Sequence, residues 1–179
     1  AVLASLGWLR DSRDSALAPT RGRIQQATIE ATVPVGDLRY WRMSYSNQNY
    51  WPINKDLTLA TNLDLGYARA FGGTVFPVFK NYYAGGIGSV RGYAPYSLGP
   101  FQLDPNDPRS RVPIGGQIKT VLNTELIFPM PGSGNDKSFR IFMFADAGNV
   151  WGEYEKLKLD SVRASAGIGL SWISPMGPL

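Results

Sequence analysis

Apolar and polar residues alternate along this chain in segments longer than the strands of an ordinary soluble sheet. Residues 57–69 put Leu57, Leu59, Leu63, Leu65 and Tyr67 on one face, with Thr58, Asn62, Asp64 and Gly66 on the other. A period of two marks a strand with one greasy side, because successive side chains of an extended backbone point to opposite faces. The same period sets Val2, Leu6 and Trp8 against Ser5 and Gly7 in residues 1–10, and Ala27, Ile29, Ala31 and Val33 against Gln26, Thr28, Glu30 and Thr32 in residues 22–33. It sets Trp41, Met43, Tyr45 and Trp51 against Arg42, Ser44, Ser46 and Gln48 in 39–51, and Ile118, Leu122, Leu126 and Phe128 against Lys119, Asn123 and Glu125 in 117–128. Residues 161–173 put Val162, Ala164, Ala166, Ile168, Leu170 and Trp172 against Arg163, Ser165, Gly167 and Ser171. Residues 139–150 are less regular, since Phe142 and Phe144 share a face with Arg140 and Asp146. The pattern predicts about seven strands and no helix, an all-β antiparallel up-and-down meander.

A soluble sandwich also alternates, but its strands run to about five or six residues. Here several run about twice that. Aromatic residues mark the ends, with Trp41 and Trp51 bracketing one segment and Trp172 closing another. Strands of roughly 9–11 residues with aromatic girdles and a polar opposite face describe a transmembrane β-barrel with a wet lumen. Charged residues make up 18% of the 179, below the roughly 25% usual in soluble domains, in keeping with that reading. No stretch approaches the 18 or so apolar residues of a membrane helix. Arg10 and Asp11 interrupt the first apolar run, so no signal peptide is read there. The chain has no cysteine and no histidine, which excludes disulfides, Cys/His metal sites and Ser–His or Cys–His catalysis. The net charge of +4 is dispersed without a Lys/Arg run, so no nucleic-acid partner is expected.

The connections differ in length. Residues 11–21, 52–56 and 129–138 carry Pro19, Pro52, Pro129 and Pro131, and residues 34–38 are few. In the first of these, Asp14 is placed to bond nearby backbone N–H groups and Gly22 to restart a strand. Residues 71–116 form a long insertion, which alternation along the meander puts on the extracellular side, opposite the short turns. Its centre, residues 81–100, is rich in glycine and tyrosine, and Arg91 is its one charge. Gly85, Gly86, Gly88 and Gly92 are expected to take positive φ and let backbone approach backbone. Loops of this length are functional or disordered, and six aromatics between Phe76 and Tyr96 argue against disorder. The glycine spacing fails the G-x-G-x-x-G pattern and no helix pattern follows, so a nucleotide loop is rejected. Glu125 and Asp146 fall on polar faces of neighbouring strands. A hydrolytic carboxylate pair is one reading. The other makes them counter-charges for a lumenal cation, which Arg91 supplies, since unpaired charges inside a barrel are costly.

Several stretches resemble a known family. Tyr82-Tyr83-Ala84-Gly85-Gly86, Ser89-Val90-Arg91-Gly92-Tyr93 and Leu98-Gly99-Pro100 resemble the sixth extracellular loop of the BamA family, the barrels at the centre of outer-membrane protein assembly. The Val-Arg-Gly-aromatic motif is shared with a wider superfamily that includes two-partner secretion transporters. Asp14 to Gly22, Leu126 to Gly132, Phe144-Ala145-Asp146-Ala147-Gly148-Asn149-Val150-Trp151 and Ser165 to Pro178 resemble the assembly family itself.

The resemblance implies about seven strands of a sixteen-stranded barrel, with residues 1–179 as its incomplete C-terminal part and a loop at about 71–116 folded back into the lumen. The first half, the last two strands and the preceding POTRA domains are then expected outside this sequence. It implies Val90, Arg91, Gly92 and Tyr93 as the loop-anchoring motif, Glu125 and Asp146 as inward acidic partners, and Gly85, Gly86 and Gly88 as loop glycines. It implies no enzyme, no cofactor and no metal. It further implies a place in the bacterial outer membrane and, as partners, unfolded outer-membrane clients, accessory lipoproteins and the bilayer. Two other functions stay open, a secretion transporter of the same superfamily and a passive porin.

Overall fold

In a computed structural model the described residues are 2–33, 37–107, 109–131, 138–153, 155, 157–174 and 177–178. Seven long strands form: β1 (Leu3–Asp11), β2 (Gly22–Thr32), β3 (Tyr40–Pro52), β4 (Thr58–Ala70), β7 (Ile118–Pro129), β8 (Phe139–Trp151) and β9 (Arg163–Ser174). Three short pieces join them, β5 (Phe101–Leu103), β6 (Arg111–Pro113) and β10 (Gly177–Pro178). The expected meander is found. One antiparallel sheet runs β1-β2-β3-β4-β7-β8-β9-β10, and β5 pairs β6 apart from it, inside the insertion. Helix is confined, among the described residues, to 3₁₀ turns at Val78–Lys80 and Leu159–Ser161. The connections at 34–38 and 129–138 lie mostly outside the described residues, as do Pro175, Met176 and Leu179 of the C-terminal run. Pro52 and Pro129, expected in turns, instead end β3 and β7 opposite Thr58 and Arg140. A strand terminus tolerates the missing N–H.

The register shows why the alternation is so clean. Met43 lies opposite Ile29 and Tyr67, and Leu63 opposite Asn47 and Leu122, so the odd-numbered apolar residues of β2, β3 and β4 share a face with the even-numbered ones of β7. Leu6, Ile168 and Leu170 on that face are 70–75% exposed. Trp41 packs on Tyr67 at 5.3 Å near one rim, and Phe139 stacks flat on Trp172 at 5.5 Å near the other. From Trp41 to Trp51 the strand rises about 33 Å at about 3.3 Å per residue. At the roughly 40° tilt of such barrels this is a belt about 25 Å high, the height of their apolar band.

The core lies against the other face. Tyr40, Ala68, Val121 and Val150 of the sheet enclose Phe76, Tyr82, Ala84, Val90 and Leu98 of the insertion. β4 and β7 pair directly, from Thr58 with Ile127 to Tyr67 with Ile118, so the insertion leaves and re-enters at one rim. Two isolated bridges, Tyr82 with Gly116 and Ala84 with Leu98, fold it on itself. At the opposite rim the Asp14 turn forms as read. Its carboxylate accepts from the N–H groups of Thr20 (2.9 Å) and Arg21 (3.1 Å) and from the Thr20 hydroxyl. Partial desolvation pushes the Asp14 pKa up, but the Thr20 hydroxyl and the backbone N–H groups outweigh it and hold it at about 2.

Candidate functional site

Three of the insertion's contacts with the sheet wall build the site. The first is Tyr82, whose hydroxyl donates to the Met43 carbonyl at 2.7 Å and lies 3.1 Å from Ser44 Oγ. Its ring occupies the space over Gly66, where a Cβ would sit 2.7 Å from ring carbons. The Arg42 guanidinium covers the ring at 4.2 Å from its centroid. The second is a tight turn, with Gly86 N–H donating to Val90 O (3.1 Å) and Ser89 N–H to Gly86 O (3.0 Å). Asn123 of β7 donates to Ser89 O at 2.6 Å and is itself held by Asn62 of β4 at 3.1 Å.

The third is Arg91. Its Nε and Nη2 donate to the two oxygens of Asp146, each at 2.7 Å, and its backbone N–H adds a third bond at 3.0 Å. Nη1 donates to Glu125 Oε1 at 2.5 Å. One guanidinium thus bridges β7 and β8, using the planar fork that distinguishes arginine from lysine. The Asp146 side chain is completely buried, whereas that of Glu125 keeps 30% of its exposure. The guanidinium also lies over the ring of Phe144 at 3.8 Å and within 5.5 Å of that of Phe142, a favourable cation–π geometry.

This explains the irregular face of β8. Phe142 and Phe144 break the alternation because they floor the arginine site. Room for them comes from β9, where Gly169 faces Phe142 and Gly167 faces Phe144 in register. A Cβ on either glycine would fall 2.4–2.8 Å from a phenyl carbon. The broken parity of residues 140–146 and the paired glycines of β9 were visible in the sequence. Reading them as one unit requires the register.

The remaining motif residues fall as follows. Val90 is fully buried beside Tyr82 and Val150. Tyr93 donates from its hydroxyl to the Ala164 carbonyl at 3.1 Å. Gly85, Gly86 and Gly92 have φ of +108°, +91° and +83°. Gly88 does not take positive φ, and a Cβ there would meet nothing within 4 Å. That corrects its expected role, since the turn places it facing open space. At Gly92 a Cβ would make ordinary contact with Ser165 at 3.7 Å, so this position needs glycine for its dihedral and not for room. Tyr96 is the one non-glycine residue with positive φ among those described, at 61°, and packs edge-on against Tyr83 at 5.5 Å.

No cluster of His, Cys, Asp or Glu suited to a metal ion occurs among the described residues. Glu125 and Asp146 are both engaged by Arg91, so the arrangement is an ionic clamp between loop and wall.

Comparison with known proteins agrees with this geometry. The chain is 33% identical over 98% of its length to the outer membrane protein assembly factor BamA of Neisseria meningitidis serogroup B. It is 28% identical over 89% of its length to the sorting and assembly machinery component 50 homolog of Mus musculus. The crystal structure of BamA from Haemophilus ducreyi lacking POTRA domains 1–3 superposes on 97% of the chain with a TM-score of 0.85 and 32% identity. The chain spans 25% of the Neisseria protein, 35% of the mouse protein and 36% of the Haemophilus chain. Residues 1–179 match the Omp85 superfamily domain from end to end, and the chain belongs to that superfamily.

Proposed function

We propose that residues 1–179 are the C-terminal part of the barrel of an insertase that folds β-barrel proteins into the bacterial outer membrane. The observation that carries this is the clamp of Arg91 on Glu125 and Asp146. It docks the 71–116 insertion on the polar face of a sheet whose other face is an apolar belt, in a chain whose bacterial relatives are named assembly factors. In this reading the belt meets lipid, the polar face lines a wet lumen, and the insertion enters from the extracellular side as plug and brace.

The work is done without a cofactor and without a covalent step. A barrel that opens along one seam offers unpaired N–H and C=O groups, and an incoming strand pairs with them by β-augmentation. A braced wall keeps the rest of the sheet in register meanwhile. The partners are unfolded outer-membrane clients, accessory lipoproteins of the assembly complex, and the bilayer. Relatives from Neisseria and mouse alike carry assembly in their names, which supports insertion over export of a dedicated partner. A docked insertion disfavours a passive porin.

The test uses cells whose only copy of the full-length protein carries Arg91→Ala. At equal levels of the variant, the folded fraction of an unrelated client barrel should fall severalfold. Normal client folding with loss of export of one secreted protein would replace the insertase with a transporter. Normal folding and export with altered solute permeability would replace it with a pore.

A further inference from the structure

Between Gly72 and Phe101 the chain has two charges, Lys80 and Arg91, both positive. Both are ion-paired to carboxylates of the wall, on different flanks of the sheet. Lys80 Nζ lies 2.8 Å from Glu30 Oε1 on β2, four strands away from Asp146 on β8. At about 4.8 Å per strand step the two attachments are roughly 19 Å apart across the sheet.

The Lys80 site has several contacts of its own, although the pair keeps 26% and 18% of its side-chain exposure where Arg91 and Asp146 keep 15% and 0%. The Tyr40 hydroxyl donates to the same Glu30 oxygen at 2.8 Å, so Glu30 holds one partner from its own sheet and one from the insertion. The Phe76 ring packs edge-on against Tyr40 at 5.4 Å. The 3₁₀ turn at Val78–Lys80, closed by Lys80 N–H to Pro77 O at 2.9 Å, fixes the direction in which Lys80 leaves the backbone. Tyr40 is in turn held to β2, its N–H donating to Thr32 Oγ1 at 2.9 Å. Arg42, directly opposite Glu30 in the register, stacks on Tyr82, so the hydrogen bonds to the carboxylate come from Lys80 and Tyr40.

We infer that Lys80, through Glu30, is a positioning residue that presets the insertion for the Arg91 clamp. The two ion pairs together make the insertion a tie bar joining β2 to β8. The physical reason is the packing of the segment that joins them. Between Lys80 and Arg91 lie ten residues, and the Tyr82 and Val90 side chains are buried in one core with Tyr40 and Val150. With Lys80 held, Arg91 has little freedom to wander. With Lys80 released, the segment between the Thr74 contact with the Arg39 carbonyl and Tyr82 loses its charged attachment to the wall. This deepens the insertase reading, because movement of the wall must then occur outside β2–β8, but the attachment itself does not depend on that activity.

Hydrogen exchange on the full-length protein in detergent, without any client, tests it. The variants are Lys80→Gln, Glu30→Gln and the double change Lys80→Gln with Glu30→Gln. Either single change should raise exchange across residues 82–92 about tenfold, equivalent to about 1.4 kcal/mol, with β4 and β7 unchanged. The double change should raise exchange no further than the larger single change, because both remove one shared contact. Faster exchange confined to 76–81 would overturn the inference, because the ion pair would then be local. Single changes whose effects add in full in the double change would overturn it too. If a single variant does not fold, Lys80→Arg replaces it and should keep the protection of 82–92; loosening there would also refute the tie bar. Normal protection in a protein that inserts no clients would count against the insertase reading alone.

Discussion

Arg91 is the residue whose removal the structure lets us cost. Truncation to alanine deletes three side-chain hydrogen bonds, two to Asp146 and one to Glu125, along with the stacking on Phe144. It leaves the completely buried Asp146 carboxylate without its cation, held only by the residue 91 N–H and the neighbouring Asn123 amide. Breaking a buried pair in this way costs about 3–5 kcal/mol. The insertion should open roughly a hundred to several thousand times more often, at about 1.4 kcal/mol per tenfold. The assay is amide exchange in the full-length protein. Gly86 N–H, bonded to Val90 O, and Leu98 N–H, bonded to Ala84 O, report the insertion. The β4–β7 ladder reports the wall. Glu125, with 30% of its side chain exposed, is partly screened by solvent, so Glu125→Gln should cost only about 1 kcal/mol. Asp146→Asn should cost more than twice that, because it weakens a bidentate, charge-assisted contact in a dry position. Arg91→Lys should recover part of the loss, since an ammonium keeps the charge but not the fork. The reasoning fails if Glu125→Gln opens the insertion as much as Asp146→Asn, or if Arg91→Ala changes exchange less than about fivefold, under 1 kcal/mol.

Gly92→Ala should destabilise the docked insertion by about 1–2 kcal/mol through its left-handed dihedral, while Gly88→Ala should stay within about 0.5 kcal/mol; exchange protection of Gly86 reads both. Gly169→Ala should cost about 1–3 kcal/mol by overpacking against Phe142, and Phe142→Leu in the same chain should relieve part of it, seen as partly recovered heat resistance of the folded protein on a gel. The turn held by Asp14 draws on a pKa depressed to about 2. Its stabilisation is therefore full above the unfolded value near 4 and is lost as pH falls from about 4 toward 2. NMR of the Thr20 and Arg21 amides should show the loss, and Asp14→Asn should abolish the pH dependence; a turn unchanged at pH 2 would contradict the assignment.

The strands were legible because a half-buried strand repeats every two residues and Leu59, Leu63, Tyr67, Ile168 and Leu170 keep to that period. Arg91 with Glu125 and Asp146 was legible from charge sparseness, one cation among glycines and two acids on inward positions of adjacent strands. Phe142 and Phe144 were not, because a phenylalanine on a polar face looks like noise until Gly167 and Gly169 are set opposite it. Lys80 escaped because it adjoins the glycine-rich centre of the insertion without belonging to it, and because Glu30 is 50 residues away in sequence. Gly88 was misread since composition does not say which glycine of a cluster has the unusual dihedral.

The direct pairing of β4 with β7 also bears on the order in which such a sheet can form. Closing that hairpin across residues 71–117 costs roughly 2 kcal/mol more chain entropy than closing a five-residue turn, from the logarithmic dependence on loop length. The Tyr82–Gly116 and Ala84–Leu98 bridges divide the excursion into shorter closures, each rewarded by its own contacts. A folded insertion therefore lowers the chain-entropy cost of the central hairpin, so docking of the insertion and pairing of β4 with β7 favour one another.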